Sequence, residues 1–441
     1  MSLKIKFFNR FEILNILYCI FPLTVVLGNP AINLNIFLII IFGFFSFGKK
    51  LFIIEKNYFN AALVSFFIFI IITSFLNSYS LSEYNFINVE HKLNFLKSLS
   101  FLRFLLIFFI LTKLIDADKF RIKYFFLVAG SISLLLAIDI IYQKNFGIDI
   151  FGFVTDDEYR LSGFFGKEYI AGGYLQRFSL YFIFLFPYLN FKNFEGKYLK
   201  FYFLTCIVLF FFTILLTNNR TPLVLFLLSL SLFVYFYKKF RKIFILTSCS
   251  VVFVFLSLYF LNSKTTTFAT DYFKQVSDIV KVFTVRDKIN SREVIINSNY
   301  AKIFNSAIDL SKEKKIIGFG IKSFRSKCFK NLETLPPGRS CSNHPHNYYL
   351  EILTSTGLIG LFLFILISFF SIKKFIFNFN SIKEIYYKKK LILLVPFLVF
   401  MVEIFPIRSS GAFFTTLTSS YFFILLAMVN NLKTKHISFT K

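Results

Sequence analysis

NHPHNYYLEILTSTGLIG, residues 343–360, joins a polar segment to the start of a long apolar run. His346 and Asn347 stand at the junction, and Gly357 and Gly360 follow at a spacing close to one helical turn. A histidine at such a boundary is the side chain best placed to move protons near neutral pH. We therefore ask what kind of scaffold the rest of the chain builds around this histidine.

The composition of the 441 residues indicates a membrane protein. Hydrophobic residues make up 56% of the chain and the mean hydropathy is +0.67, whereas soluble domains are about 45–50% apolar. A membrane-spanning helix needs about 20 mostly apolar residues. Runs near that length predict an all-α, polytopic fold with about 12 transmembrane helices, at 11–28, 31–48, 58–76, 99–115, 124–142, 173–190, 199–216, 221–237, 243–262, 347–372, 391–405 and 412–430.

The distribution of basic residues predicts the orientation. The net charge is +27, but the charges fall in short runs between apolar segments, which favours a membrane topology over nucleic-acid binding. The termini and alternate loops hold 26 Lys and Arg, against 7 in the short loops of the other side. The positive-inside rule therefore predicts that both termini are cytoplasmic.

Three regions follow from this topology. Residues 1–262 are predicted to form transmembrane helices 1–9, and residues 347–441 helices 10–12 with a cytoplasmic tail. Residues 263–346 form a large loop on the outer side, the periplasm in a bacterium. Its 15 basic residues do not oppose this topology, because long segments translocate largely regardless of charge. Within the loop, apolar spacing predicts an amphipathic helix with Val294, Ile295, Tyr300, Ile303, Phe304 and Ile308 on its apolar face.

The junction resembles the hallmark of the bacterial O-antigen ligase and O-antigen polymerase superfamily of membrane lipid-linked oligosaccharide transferases. That hallmark is His-Asn, nine residues, Gly, two residues and a small residue, and it is complete from His346 to Gly360. The resemblance implies a GT-C-like fold, a glycan donor linked to polyprenyl pyrophosphate and inversion at the anomeric carbon. His346 would act as general base on the acceptor hydroxyl, and Asn347 would orient it or bind a sugar. His344 is interpreted as a loop residue.

Arginines are the expected partners of the departing pyrophosphate, because guanidinium binds such oxygens in a bidentate manner and keeps its charge. Arg220 stands at a predicted outer helix start, a position that favours anions. Arg292 precedes Gly318-Phe319-Gly320 as a family arginine does, although this chain lacks the tryptophan that often follows. Arg160, in RLSGFF, resembles a looser substrate-contact motif. Arg103, Arg177 and Arg408 are interpreted as packing or interface residues.

No metal site and no cofactor are expected. The chain has no Asp-x-Asp, His-x-x-x-His or Cys-x-x-Cys pattern, and the acidic cluster Asp156-Asp157-Glu158 is interpreted as a solvated loop. Cys328 and Cys341 lie 13 residues apart in the outer loop, just before His346. Because the periplasm permits disulfides, we expect these two residues to form one.

The sequence thus predicts an O-antigen ligase in the bacterial inner membrane, with its active site facing the periplasm. The predicted partners are the polyprenyl-pyrophosphate glycan, lipid A–core or another glycan acceptor, and membrane lipid, with no nucleic acid. A repeat polymerase or a protein O-oligosaccharyltransferase differs only in the acceptor, and both stay open. A transporter is the alternative of another class, disfavoured because internal repeats are absent and the polar residues gather at one side. A membrane anchor would leave the arginines and the histidine unexplained.

Overall fold

The computed structural model is predominantly helical and describes residues 9–80, 85–86, 89–154, 160–185, 197–237, 241–242, 245, 299–331, 336–382, 387–408 and 411–437. Its helices are α1 Arg10–Cys19, α2 Phe21–Val26, α3 Asn29–Phe47, α4 Tyr58–Leu76, α5 Val89–Asp116, α6 Ile122–Phe146, α7 Ala171–Ile183, α8 Lys197–Leu216, α9 Arg220–Phe236, α10 Asn299–Glu313, α11 Phe324–Lys330, α12 Tyr348–Asn380, α13 Tyr387–Glu403 and α14 Thr416–Asn431. Two short strands, β1 Tyr79–Ser80 and β2 Asn85–Phe86, pair antiparallel after α4.

Six helices in the described residues are long and apolar enough to cross a membrane: Asn29–Phe52, Tyr58–Leu76, Lys92–Asp116, Ile122–Phe146, Tyr198–Leu216 and Tyr348–Asn380. Eleven of the twelve predicted runs coincide with described helices, the first of them as the pair α1 and α2. The run 243–262 lies almost wholly outside the described residues. The count of about 12 spans therefore stays a prediction.

Local sequence signals explain where several helices begin and end. Gly28, between α2 and α3, has φ +87°, a left-handed value that glycine adopts without strain, and Pro30 lies in the first turn of α3. The Asn57 side chain caps α4 by accepting a hydrogen bond from the backbone N–H of Asn60 at 2.8 Å. The eleventh run forms α13, which continues through Pro396 to Glu403.

Contacts between helix ends define two ends of the bundle. At one end, which we call the site end, the last turn of α4 and the first turns of α12 contact the segment 314–323. The first two turns of α7 lie at this end too, because Arg177 binds Glu403, which also binds Tyr348 of α12. There, Arg103 of α5 donates to Thr416 Oγ1 at 2.9 Å, and Asn77 after α4 donates to the carbonyl of Gly318 at 3.1 Å. At the opposite end, His436 and Lys435 contact Asp118, which follows α5, at 3.1 and 3.4 Å.

The described part of the predicted outer loop is ordered against the site end. The predicted amphipathic helix is present as α10, and it packs on α12 and α11. Its buried apolar residues are Ile303, Ala307 and Leu310, whereas Tyr300 and Ile308 are exposed. The three buried residues of α10 form a second, smaller core with Phe319, Phe324 and Cys328. Val294 and Ile295 lie outside the described residues.

Candidate active site

The first turn of α12 is fixed by Asn347. Its side-chain oxygen accepts from the backbone N–H groups of Tyr349 and Leu350 at 3.0 and 3.2 Å, which caps the helix. Its side-chain nitrogen donates to the carbonyls of Pro406 and Arg408 at 2.7 and 3.2 Å. Asn347 thus joins α12 to the segment after α13 and positions the neighbouring His346. A substrate contact of Asn347 stays a prediction.

The two glycines of the hallmark have a structural explanation. α12 breaks at Gly357, whose φ is +64°, and a Cβ there would lie 2.2 Å from the carbonyl oxygen of Ile316. The segment around Gly318 docks into this break: Phe319 and Gly320 donate to the carbonyls of Thr354 and Ser355 at 2.9 and 2.8 Å. At Gly360, a Cβ would lie 2.0 Å from Thr356 Oγ1. The glycines therefore let a loop pair with the backbone of an interrupted helix.

The loop before His346 is tied down by three kinds of contact. The predicted disulfide between Cys328 and Cys341 is present, with 5.7 Å between the Cα atoms. Arg339 pairs with Asp309 of α10 at 2.6 Å. Ser306, also in α10, donates to the carbonyl of Ser340 at 2.8 Å. These contacts anchor the approach to the histidines on α10 and α11.

His344 and His346 form a pair of imidazoles. Their ring centroids lie 4.1 Å apart, and His346 also contacts the ring of Tyr300 edge-on at 5.6 Å. His346 has a left-handed backbone, with φ +56°, which turns the chain between the loop and α12. Burial lowers the pKa of His346 below its ordinary value. Burial, helped by the charge of His346, lowers the pKa of His344 to about 4, so both rings are neutral at pH 7.

A cavity of about 670 Å³ lies beside this pair at the site end. His344, interpreted from the sequence as a loop residue, lies on its wall. The wall also carries three cations, Lys97, Lys322 and Arg325, and one carboxylate, Glu351. The remaining lining residues are Leu93, Asn94, Phe324, Ser326, Phe329, Asn343, Ser355, Ala412, Phe414 and Thr415. The imidazole pair thus lies next to a space large enough for a sugar.

A buried ion network supports the start of α12 from behind. Glu403, fully buried, pairs with Arg408 at 2.6 Å and with Arg177 of α7 at 3.1 Å. Tyr348 donates to Glu403 Oε1 at 2.8 Å, and the Arg408 guanidinium lies 5.0 Å from the centre of the Tyr348 ring. The network therefore joins α7, α13 and α12 directly behind His346.

Sequence reasoning treated Arg177 and Arg408 as packing residues and missed Glu403 as their partner. The signal was available, because Glu403 is the single charged residue in the apolar run 391–405. An ionisable residue in a spanning segment is expensive to bury, so it has a partner or a function.

The predicted substrate arginines lie elsewhere at the site end. Arg220 is exposed at the first residue of α9, and Arg160 is exposed with its guanidinium 5.8 Å from the centre of the Tyr169 ring. Asn219 donates to the Tyr169 carbonyl at 3.1 Å, which brings the two arginine segments together at the start of α7. Neither arginine is among the residues that line the cavity. Arg292 lies outside the described residues.

In the described part of the chain, no group of three or more His, Cys, Asp or Glu residues is placed to hold a metal ion. The cavity wall, by contrast, carries three cations: Lys97 of α5, Lys322, and Arg325 of α11. Their arrangement suits anionic substrates, because a cleft lined by one sign of charge concentrates ligands of the other sign.

The site end combines a polar loop on a broken helix, a pair of histidines and several basic residues. These features agree with the family that the sequence hallmark resembles. Residues 205–365 match the O-antigen ligase family model. The resemblance to the O-antigen ligase superfamily is thus confirmed for this part of the chain. The match contains Arg220, Arg292, His346, Asn347 and both hallmark glycines, whereas Arg160 precedes it. No curated protein matches the chain.

The apolar helices indicate a multi-pass membrane protein, and the similarity to the O-antigen ligase family covers residues 205–365. The region of the match runs from α8 to the middle of α12, and it therefore includes the break at Gly357.

Proposed function

We propose that this protein is a membrane glycosyltransferase that moves a glycan from a polyprenyl-pyrophosphate carrier to an acceptor hydroxyl, as an O-antigen ligase acting on lipid A–core. The observation that carries the proposal is the imidazole pair of His344 and His346 beside the cavity, within the region that matches the O-antigen ligase family. The six candidate spanning helices provide the membrane setting that a lipid-linked donor requires.

In the proposed reaction, His346 takes the proton of the acceptor hydroxyl. The oxygen attacks the anomeric carbon of the donor, the new glycosidic bond forms, and the bond between that carbon and the pyrophosphate oxygen breaks. Polyprenyl pyrophosphate leaves on the opposite face, so the configuration inverts. A base with a lowered pKa is unprotonated at neutral pH and is therefore ready to accept this proton.

Arg220 and Arg292 supply the positive charge for the leaving pyrophosphate. Arg220 is well placed, because it begins α9 and the N–H groups of a helix N-terminus favour an anion there. α7 connects the two parts of the site. Gly172 lies so close to Thr217 and Asn219, beside Arg220, that a Cβ there would clash with them. Arg177, five residues further along α7, pairs with Glu403 behind His346. Five residues of helix span about 7.5 Å along the axis.

The test is glycan transfer by the purified full chain, supplied with a lipid-linked glycan and lipid A–core. Replacing His346 with Ala is expected to lower the rate by about 10²–10⁴, the usual contribution of a general base. His436→Ala at the opposite end is the matched control and should transfer at the wild-type rate. If H346A kept full activity and H344A were inactive, the general base would be His344 and not His346.

The acceptor is decided in the same assay by product size. Lipid-linked repeats in place of lipid A–core give long chains if the protein is a polymerase, and a glycosylated protein acceptor identifies a protein O-oligosaccharyltransferase. Absence of transfer to every acceptor by wild-type protein would overturn the proposed function.

A further inference from the structure

The cavity beside the histidines carries three cations that the proposed donor site does not use. Lys97 comes from α5, and Lys322 and Arg325 come from a segment more than two hundred residues later, yet all three line one space. Lys97 donates to Asn94 Oδ1 at 3.2 Å. Glu351 is the single carboxylate among the lining residues. The wall therefore has an excess of cations at the place where a substrate would meet the base.

The fold brings these like charges close together at the cavity mouth, where all three side chains are partly exposed. Partial desolvation lowers the pKa of Lys322, and repulsion by Lys97 adds to that effect, while Glu351 opposes it. Lys322 also has a left-handed backbone, with φ +57°, a conformation that is unfavourable for a residue with a side chain. Such strain tends to occur at ligand sites. An anion bound between the cations would offset their repulsion.

Two further polar groups on the cavity wall lack protein partners. Ser355, only 1% exposed, has a hydroxyl without a hydrogen-bond partner in the described part of the structure. The Nε2 atom of His344 is buried and likewise lacks a partner among those residues. A buried polar group without a partner destabilises the fold, so these groups indicate a ligand that can form hydrogen bonds.

The direction of the reaction assigns this ligand. In an inverting displacement, the attacking hydroxyl and its base lie on one face of the anomeric carbon and the leaving group lies on the other. The cations of the cavity lie on the side of the histidines, whereas Arg220 does not line the cavity. Cations on the side of the base serve the acceptor rather than the departing pyrophosphate.

We propose that Lys97, Lys322 and Arg325 bind phosphate groups of the acceptor and hold its hydroxyl against the histidine pair. This inference rests on the proposed function. Arg325 offers a bidentate fork for phosphate oxygens, and the two ammonium groups add charge on either side. The phosphate belongs either to a phosphorylated sugar of lipid A–core or to the pyrophosphate of a second lipid-linked glycan, which share this chemistry.

The experiment measures transfer kinetics of the full chain with donor and acceptor varied separately. The variants are K97Q, K322Q, R325Q and their combination, and the matched control is K330Q. Lys330 is an exposed lysine of the same segment that does not line the cavity. The combined variant should raise the KM for the acceptor about tenfold or more and leave the KM for the donor unchanged. K330Q should change neither.

Three acceptors distinguish the source of the phosphate: lipid A–core, phosphatase-treated lipid A–core and a lipid-linked repeat. If the site binds a sugar phosphate, phosphatase treatment of lipid A–core raises the acceptor KM of the wild-type protein. The same treatment does not raise the acceptor KM of the combined variant any further. If the site binds a carrier pyrophosphate, the combined variant shows a raised KM for the lipid-linked repeat.

Two results would overturn the acceptor site while the proposed function stands. One is a rise in the donor KM alone, and the other is wild-type kinetics of the combined variant with every acceptor. Absence of transfer by the wild-type protein would instead overturn the proposed function, and the acceptor site with it.

Discussion

Burial controls the protonation of the histidines beside the cavity. His346 is half-buried between Tyr300 and His344, and removal from water disfavours its charged form. A neutral imidazole is the form that accepts a proton. The loop contacts that bury the ring therefore also prepare the proposed base.

The first prediction concerns the pH dependence of transfer. The unprotonated base is active, so activity is lost as pH falls through the pKa of folded His346. That pKa is lowered from 6.5, and the acid midpoint of kcat/KM should therefore lie below pH 6.5. The measurement is kcat/KM across the range in which histidine titrates, about pH 5 to 8. A midpoint above 6.5 would contradict the assignment.

The control for this profile is stability. Because folding lowers the pKa of both histidines, the unfolded chain binds more protons below about pH 6.5, and stability also falls there. Thermal unfolding at each pH separates the two effects: the rates count only where the protein remains folded.

The second prediction concerns Glu403, which neutralises two buried arginines. Glu403→Gln removes the charge and leaves Arg177 and Arg408 without their anion, which should cost about 3–5 kcal/mol. Tyr348→Phe is the graded comparison, because it removes one hydrogen bond to Glu403 and should cost about 1 kcal/mol. Thermal unfolding in detergent measures both. Equal Tm values for E403Q and wild type would show that the network contributes nothing to stability.

At the scale of elements, the break in α12 organises the site end. A continuous helix would satisfy its own carbonyls, but here the carbonyls of Thr354 and Ser355 accept from the docked Gly318 segment. In return, Leu358 donates to the carbonyl of Lys315 at 2.8 Å. This docking brings Lys322 and Arg325 to the cavity wall. The hallmark glycine Gly357 thus helps to determine where Lys322 and Arg325 lie.

The third prediction follows from the space at Gly357. Gly357→Ala adds backbone strain and a clash with the Ile316 carbonyl, each of about 1–3 kcal/mol. Gly338→Ala is the matched control: its φ is +77°, but nothing lies within 4 Å of the added Cβ. G338A should therefore be destabilised by the backbone strain alone. We expect G357A to unfold at a clearly lower temperature than G338A and to lose transfer. Equal Tm values would show that the docked segment yields without cost.

At the scale of the molecule, sequence patterning predicted the helices well, because each apolar run is a local feature. The hallmark also placed His346 and Asn347 correctly at the start of α12. Local patterning did not predict the break at Gly357, because a glycine in an apolar run is typical of a residue that packs between helices. It also failed for Glu403, whose partner Arg177 lies 226 residues away.

The sequence also could not predict which of the two imidazoles lines the cavity. His344 lines the cavity because the backbone at His346 is left-handed and the disulfide and α10 fix the preceding loop. Each of these depends on contacts between distant segments. Composition and spacing therefore identify the region of the site, whereas the geometry within it depends on the folded chain.

The last prediction tests the orientation of the whole molecule. Lys315 lies at the site end, where its carbonyl accepts from Leu358, and Lys119 lies at the opposite end, next to Asp118. Both side chains are exposed. The bias of basic residues towards one set of loops predicts that the site end faces the periplasm. A membrane-impermeant thiol reagent should therefore label Lys315→Cys, but not Lys119→Cys, in cells with an opened outer membrane and an intact inner membrane.

The matched pair controls for reactivity, since disruption of the inner membrane should allow both cysteines to react. The native background is measured on the unmodified chain. Among the described cysteines, Cys19 and Cys206 are buried, and Cys328 and Cys341 are joined in the disulfide. The fifth cysteine, Cys249, lies outside the described residues. Labelling of Lys119→Cys alone in the intact inner membrane would invert the topology. The histidines and the cationic cavity would then face the cytoplasm, away from a glycan presented on the outer leaflet.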